Sequence, residues 1–212
     1  MINRIDIITA PNVEDVLDQW KTVVASAVAD KQAISARFLK VYRRVNKPGY
    51  DAISQVSFQT DRQAKALSKP LKSALGSAIA ESPCLYTQIN DGYGPDRDAS
   101  NPGRMIIINP YSIPPEAGPA NAKMWNDTKD MMLGVDGFVA ANFYQTTTPD
   151  HDKYYFVSMA EWTSEEAFLA PFKGADYQKI VEEYQDKFQI CFTKVAWEVD
   201  ARAARKPEIA AT

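Results

Sequence analysis

The chain has 212 residues, 45% of them hydrophobic, with 24 basic and 27 acidic side chains. That length holds one large domain or two small ones. A net charge of −3 and a pI of about 5.3 exclude the clustered Lys and Arg excess that nucleic-acid binding requires.

In chain order, RIDIITA reads as a strand, and Asn12 caps the helix that follows, with Asp15 in its first turn. Val13, Val16, Leu17, Trp20, Val23, Val24, Ala27 and Val28 recur at spacings of three and four, the stripe of an amphipathic helix. ISARFLKVYRRV and YDAISQVSF are two strands around a turn at NKPG. Thr60 and Gln63 form a capping-box pair that opens a helix through about Ala80, with a kink or break expected at Pro70. CLYTQI is a fourth strand.

The second half repeats this order. RMIIIN is a strand, and NAKMWNDTKDMML is a helix carrying Met124, Trp125, Thr128, Met131 and Met132 on neighbouring turns. FVAANFYQTTT and KYYFVSMAEW are paired strands. A helix from about Ser164 to Phe188 is interrupted near APFKG, and ICFTKVAWEV is the last strand.

Slid against itself by 104 positions, the chain sets Tyr50 on Tyr154, Ile53 on Val157, Ser54 on Ser158, Phe58 on Trp162, Thr60 on Ser164 and Asp61 on Glu165. An offset of 105 brings Trp20 onto Trp125, and one of 107 brings Cys84 onto Cys191. Short insertions inside two equivalent halves account for the drift. The expected fold is therefore α+β: two ferredoxin-like βαββαβ repeats over residues 1–95 and 104–200, packed sheet-to-sheet as a pseudodimeric α+β barrel. Residues 96–103, in a stretch rich in Gly, Pro, Asp and Asn, form the linker, and 201–212 a flexible tail.

The second half resembles the antibiotic biosynthesis monooxygenase superfamily. The likeness rests on GVDGFV leading into a strand, the long hairpin, the aromatic strand ending in EWTSEEAF, the broken helix and the final strand. It covers residues 104–200 well, and residues 1–95 show the same order with weaker motifs. The resemblance implies a dimeric α+β barrel, here with both units in one chain. It further implies a cofactor-independent monooxygenase that takes a small aromatic, polyketide-like substrate and molecular oxygen. Such a protein binds a flat aromatic in an apolar pocket and stabilises a developing oxyanion with a few donors.

Residues suited to that chemistry can be named. Asn109 ends a strand with an amide donor, although an Asn before Pro110 also suits a turn. Asn142 and Tyr144 share one strand face by period two. Ser158 and Trp162 share a face on the next strand, where Trp162 supplies a large ring and one N–H, although packing against the following helix also explains a Trp there. Asn109, Asn142 and Trp162 are the catalytic candidates; Tyr144, Ser158, Tyr111, Phe172 and Tyr177 are the substrate-binding ones. Asn109, Asn142, Ser158 and Trp162 stand against Thr9, Phe38, Ser54 and Phe58, so a pocket is expected mainly in the second half.

Other chemistries have less support. Haem-degrading relatives carry an axial His on the second helix, where YQKIVEEY has none. The single histidine, His151, sits at a hairpin tip between two aspartates, which suits a solvated turn and not a metal site. No metal and no cofactor is expected. GYGPDRD lacks the strand and helix a phosphate loop needs. Cys84 and Cys191 have no sequence-visible base, and two cysteines with no signal peptide point to a cytoplasmic protein. No apolar run approaches the roughly 20 residues that span a bilayer, so neither nucleic acid nor membrane is an expected partner. Pairing into a homodimer is left open, and so is a non-catalytic binding or assembly role on the same barrel.

Overall fold

The computed structural model describes residues 1–45, 49–76, 78–80, 84–97, 104–149, 153–182 and 188–202. The first half comprises β1 (Ile2–Thr9), α1 (Val13–Ala29), β2 (Ser35–Arg44), β3 (Ala52–Phe58), α2 (Asp61–Ala74), the two-residue β4 (Ile79–Ala80) and β5 (Cys84–Tyr93). The second comprises β6 (Met105–Tyr111), α3 (Gly118–Met132), β7 (Phe138–Thr146), β8 (Phe156–Trp162), α4 (Glu165–Leu169), α5 (Ala175–Val181) and β9 (Cys191–Asp200).

Helix starts follow local chemistry. Asn12 Oδ1 accepts from Glu14 N at 3.1 Å, and Thr60 and Gln63 cap each other reciprocally. The α2 helix passes through Pro70 unbroken and ends at Ala74, short of the expected Ala80. Leu67, Leu71 and Ala74 bury one face along its length, and that packing outweighs the lost backbone bond. Gly76, at φ +60°, then turns the chain. The break near APFKG falls where expected, as a 3-10 turn at Pro171–Lys173 between α4 and α5.

All neighbouring strands are antiparallel and close into a ring of eight, β1-β3-β2-β9-β6-β8-β7-β5, with β4 appended to β1. The fold is an α+β barrel. The halves are not stacked as separate sheets: β2 pairs with β9 and β5 with β7, so hydrogen bonds join their edges and no large edge is left exposed. The second junction runs through β5 as far as Tyr93. Residues 98–103, most of the expected linker, lie outside the described residues, as does the tail from 203 onward.

Period-two alternation sorts the side chains into three cores. Trp20, Phe38 and Phe58 pack between the outer sheet face and α1 and α2. Trp125, Phe143 and Trp162 do the same under α3 and α4. Ile5, Ile7, Leu39, Ile53, Ile108 and Val157, drawn from both halves, fill the barrel interior. Among the described residues no helix is long and apolar enough to cross a membrane.

Candidate functional site

The site is built on the outer face of the second half's strands. On β6, Ile107, Asn109 and Tyr111 point toward the helices; on β8, Ser158, Ala160 and Trp162 do so. With Met124, Trp125, Thr128 and Lys129 of α3, and Tyr177 of α5, they enclose a cavity of about 90 Å³.

The polar groups cluster at one place. Asn109 and Ser158 are direct cross-strand partners. Asn109 is not a turn residue; it lies inside β6, buried, and its Oδ1 accepts the Gln189 backbone N–H at 3.0 Å. The β9 strand pairs with β6 only from Met105 to Ile108, so the missing N–H of Pro110 falls beyond that ladder.

The Trp125 indole donates to Ser158 Oγ at 2.8 Å, which leaves the Ser158 proton for a second acceptor. Asn109, Ser158 and the Tyr111 phenol line the same cavity. Burial pushes the Tyr111 pKa well up, and nearby Tyr177 adds to this; Asn109 and Ser158 offset part of the rise. Burial likewise pushes Tyr177 up to about 12. Both phenols are therefore neutral donors near pH 7. Trp162 is 1% exposed, and its Nε1 has no acceptor among the described residues. An unpaired N–H in an apolar wall costs free energy unless something in the cavity accepts it.

The structure thus brings together five of the residues named from sequence: Asn109, Tyr111, Ser158, Trp162 and Tyr177. It sends two elsewhere. Asn142 and Tyr144 do share a face, but it is the inner face of the barrel, on the far side of the sheet from this cavity. The side chain of Phe172 lies outside the described residues, as does His151.

The misplaced pair follows from a one-residue error in register. Phe38 stands opposite Ser54 on β3 and packs on Trp20 with ring centroids 5.3 Å apart. Phe143, not Asn142, stands opposite Ser158 and stacks on Trp125 at 4.6 Å. The counterpart of Phe38 is Phe143, at offset 105, and one residue flips every side chain to the other face. Likewise the counterpart of Asn109 is Asp6, which stands opposite Ser54, and not Thr9.

The first half carries charged side chains at the corresponding positions. Where the second half has Ile107 and Asn109, the first has Arg4 and Asp6, ion-paired at 2.9 Å and out of solvent. Ser54 donates to Asp6 at 3.0 Å, and Arg4 reaches the Ser68 carbonyl on α2 at 3.1 Å. The guanidinium fills the space that Ile107 leaves empty.

Sequence reasoning placed Trp125 on the helix stripe but missed it, and Lys129, as site residues. The available signal was a Trp one helical turn from Lys129, above a strand carrying Ser158. Lys129 Nζ pairs with Asp130 at 2.9 Å.

Neither a protein-family model nor a curated protein matches this sequence. Solved structures do. One from Fusobacterium nucleatum, described as a “putative monooxygenase”, aligns over 94% of this chain and 93% of its own at a TM-score of 0.64 and 7% identity. An anthrone oxidase-like protein aligns over 94% and 92% at 0.62 and 10% identity. A mutant chlorite dismutase from Candidatus Nitrospira defluvii, in complex with cyanide, aligns over 92% and 90% at 0.59 and 11% identity. At these identities the likeness establishes the fold, and the chain shares the α+β barrel of these proteins.

Proposed function

We propose that this protein is a cofactor-independent monooxygenase acting on a small aromatic, polyketide-like substrate, and that its halves arose by tandem duplication, with the first half's site since closed by Arg4 and Asp6. The observation that carries the catalytic reading is the unpartnered Trp162 N–H, buried in an aromatic-walled cavity beside the Tyr111–Asn109–Ser158 cluster. Two neutral donors in an apolar space favour an oxygen that gains negative charge during reaction.

The chemistry needs no bound metal or flavin because the substrate supplies the electrons. An activated C–H carbon conjugated with an aromatic ketone loses a proton to water, and its negative charge spreads onto the ketone oxygen. Tyr111 and Trp162 donate to that oxygen. The carbanion carbon then forms a bond to one atom of molecular oxygen, which is reduced to the peroxide level and takes up a proton. Loss of the second carbon-bound hydrogen together with the terminal hydroxyl releases water and leaves a carbonyl. The substrate carbon is oxidised from CH₂ to C=O, and both oxygen atoms are accounted for.

Haem fits the cavity poorly. Its lining offers neither imidazole nor thiolate, and burial holds both phenols in the protonated form, opposite to what tyrosinate ligation needs. About 90 Å³ is below the roughly 300 Å³ of a drug-sized site, so a fused-ring substrate requires this cavity to widen on binding.

Oxygen uptake by the purified protein with dithranol, an anthrone, tests the reading. The expected result is consumption of oxygen with growth of quinone absorbance, undiminished by chelators. No uptake above the uncatalysed rate would leave binding without catalysis as the function of this barrel.

A further inference from the structure

The inner face of the barrel changes character along its length. At one end, Ile5, Ile7, Leu39 and Ile53 fill it. By the same period-two alternation, Asn3 on β1, Arg37 on β2 and Gln55 and Ser57 on β3 continue these rows toward the other end. With Asn142 and Tyr144 of β7 they line a second cavity, of about 550 Å³. Six polar side chains at the inner end of a barrel call for an account, because buried polar groups persist when something satisfies them.

Their hydrogen bonds show what is missing. Gln55 Nε2 donates to Asn3 Oδ1 at 3.2 Å and to the Tyr144 oxygen at 3.0 Å, and Ser57 Oγ donates to Asn3 Oδ1 at 2.8 Å. Two incoming donors fix the orientation of the Asn3 amide: its oxygen faces them, and its Nδ2 is left over. That Nδ2 is out of solvent and unpartnered, on a residue 1% exposed. Tyr144, whose oxygen accepts from Gln55, keeps its own O–H to give. Asn142 makes no side-chain hydrogen bond among the described residues.

The charged groups of the lining add one more unsatisfied donor. At the rim, Arg104 pairs with Glu161 at 3.1 Å and Glu198 at 2.5 Å, and Arg202 pairs with Asp200 at 2.6 Å. Arg37 has no ion-pair partner among the described residues. Its Nε donates to Gln55 Oε1 at 2.7 Å, and its Nη2 reaches only the Met159 sulfur at 3.1 Å, a weak acceptor. The lining side chains carry no net charge, with Arg37, Arg104 and Arg202 against Glu161, Glu198 and Asp200, but Arg37 Nη2 and Asn3 Nδ2 meet no oxygen acceptor among the described residues, and an acceptor is what the cavity lacks.

We propose that this polar mouth of the barrel binds a small monocarboxylate, held by Arg37 with Asn3, Asn142 and Tyr144 as further donors. A planar carboxylate matches the guanidinium fork and can take two or more additional N–H or O–H donors. A doubly charged phosphate is disfavoured, because the lining has no excess of cations and Glu161 and Glu198 are part of it. The site lies on the opposite side of the sheet from the aromatic cavity and does not depend on the catalytic reading.

Benzoate titrated into the full-length protein, followed by calorimetry and by thermal midpoint, tests this. Saturable binding is expected, with none for benzamide, its uncharged analogue, and none for inorganic phosphate at equal concentration. Arg37→Gln should weaken binding roughly 10-fold or more. Asn142→Ala should weaken it too, and that variant breaks no side-chain hydrogen bond among the described residues. Tyr111→Phe, on the other cavity, should leave benzoate affinity unchanged. No binding, equal binding of benzamide or phosphate, or loss with Tyr111→Phe while Arg37→Gln binds normally would each overturn the proposal.

Discussion

Arg4 and Asp6 form an ion pair at 2.9 Å with side chains 1% and 0% exposed, under helix α2. A buried pair contributes little relative to apolar residues of the same volume, but breaking it strands a charge. Asp6→Asn is therefore expected to destabilise the fold by about 3–5 kcal/mol in urea unfolding. Arg4→Met combined with Asp6→Leu should recover most of that loss. A single variant as stable as the parent would show that Arg4 finds compensation elsewhere.

Trp162→Phe removes the unpartnered indole N–H and little else. The ring contacts Phe138 at 5.1 Å and Phe168 at 5.6 Å between centroids, and its first-half counterpart Phe58 is buried in the same way. Dithranol-dependent oxygen uptake should fall by roughly 10- to 1000-fold, with the thermal midpoint within about a few degrees of the parent. Early melting with unchanged specific activity would instead make Trp162 a packing residue alone.

Tyr177 gives the stability a pH dependence whose sign can be worked out. Its pKa is about 12 when folded, against 10.0 for a free phenol. Below pH 10 both states hold the proton and this group adds no slope. Above it the unfolded chain ionises first, so stability falls as pH rises toward 12, by about 1.4 kcal/mol per unit for this one group. Tyr177→Phe should flatten that part of the curve in chemical denaturation between pH 10 and 12. Absorbance at alkaline pH should show correspondingly late phenol ionisation.

Gly137 sets the approach of α4 to the sheet. It has φ +84°, and an added Cβ would lie 2.4 Å from Ala167 Cβ and 2.7 Å from Thr163 Oγ1. Its carbonyl accepts the Thr163 backbone N–H at 2.9 Å, next to Trp162. Gly137→Ala combines backbone strain with overpacking, and a loss of about 2–4 kcal/mol is expected. Trp162 fluorescence should shift as its wall moves. An unperturbed midpoint would mean that the GVDGFV turn tolerates a side chain.

Much of this molecule was legible in one dimension. The Asn12 cap, the Thr60–Gln63 box, the α1 stripe and the break at Pro171 depend on neighbours within a few residues, and short-range sterics and hydrogen bonds decide them. The paired order of elements in the two halves was legible for the same reason. Ser158 and Trp162 could be placed together because period-two alternation gives each strand two faces, whereas Asn109, Tyr111 and Tyr177 were named for their side-chain chemistry. Which face meets the helices was not given by alternation. A uniform offset of 104 placed Asn142 with Ser158, whereas β7 follows offset 105, and the Phe143–Ser158 and Phe143–Trp125 contacts settle the matter only in three dimensions. The Arg4–Asp6 plug and the polar mouth of the barrel lie further from the sequence's reach. The mouth exists because β2 meets β9 and β5 meets β7, pairings between residues up to about three-quarters of the chain apart, and no local pattern encodes which distant edges will close a ring.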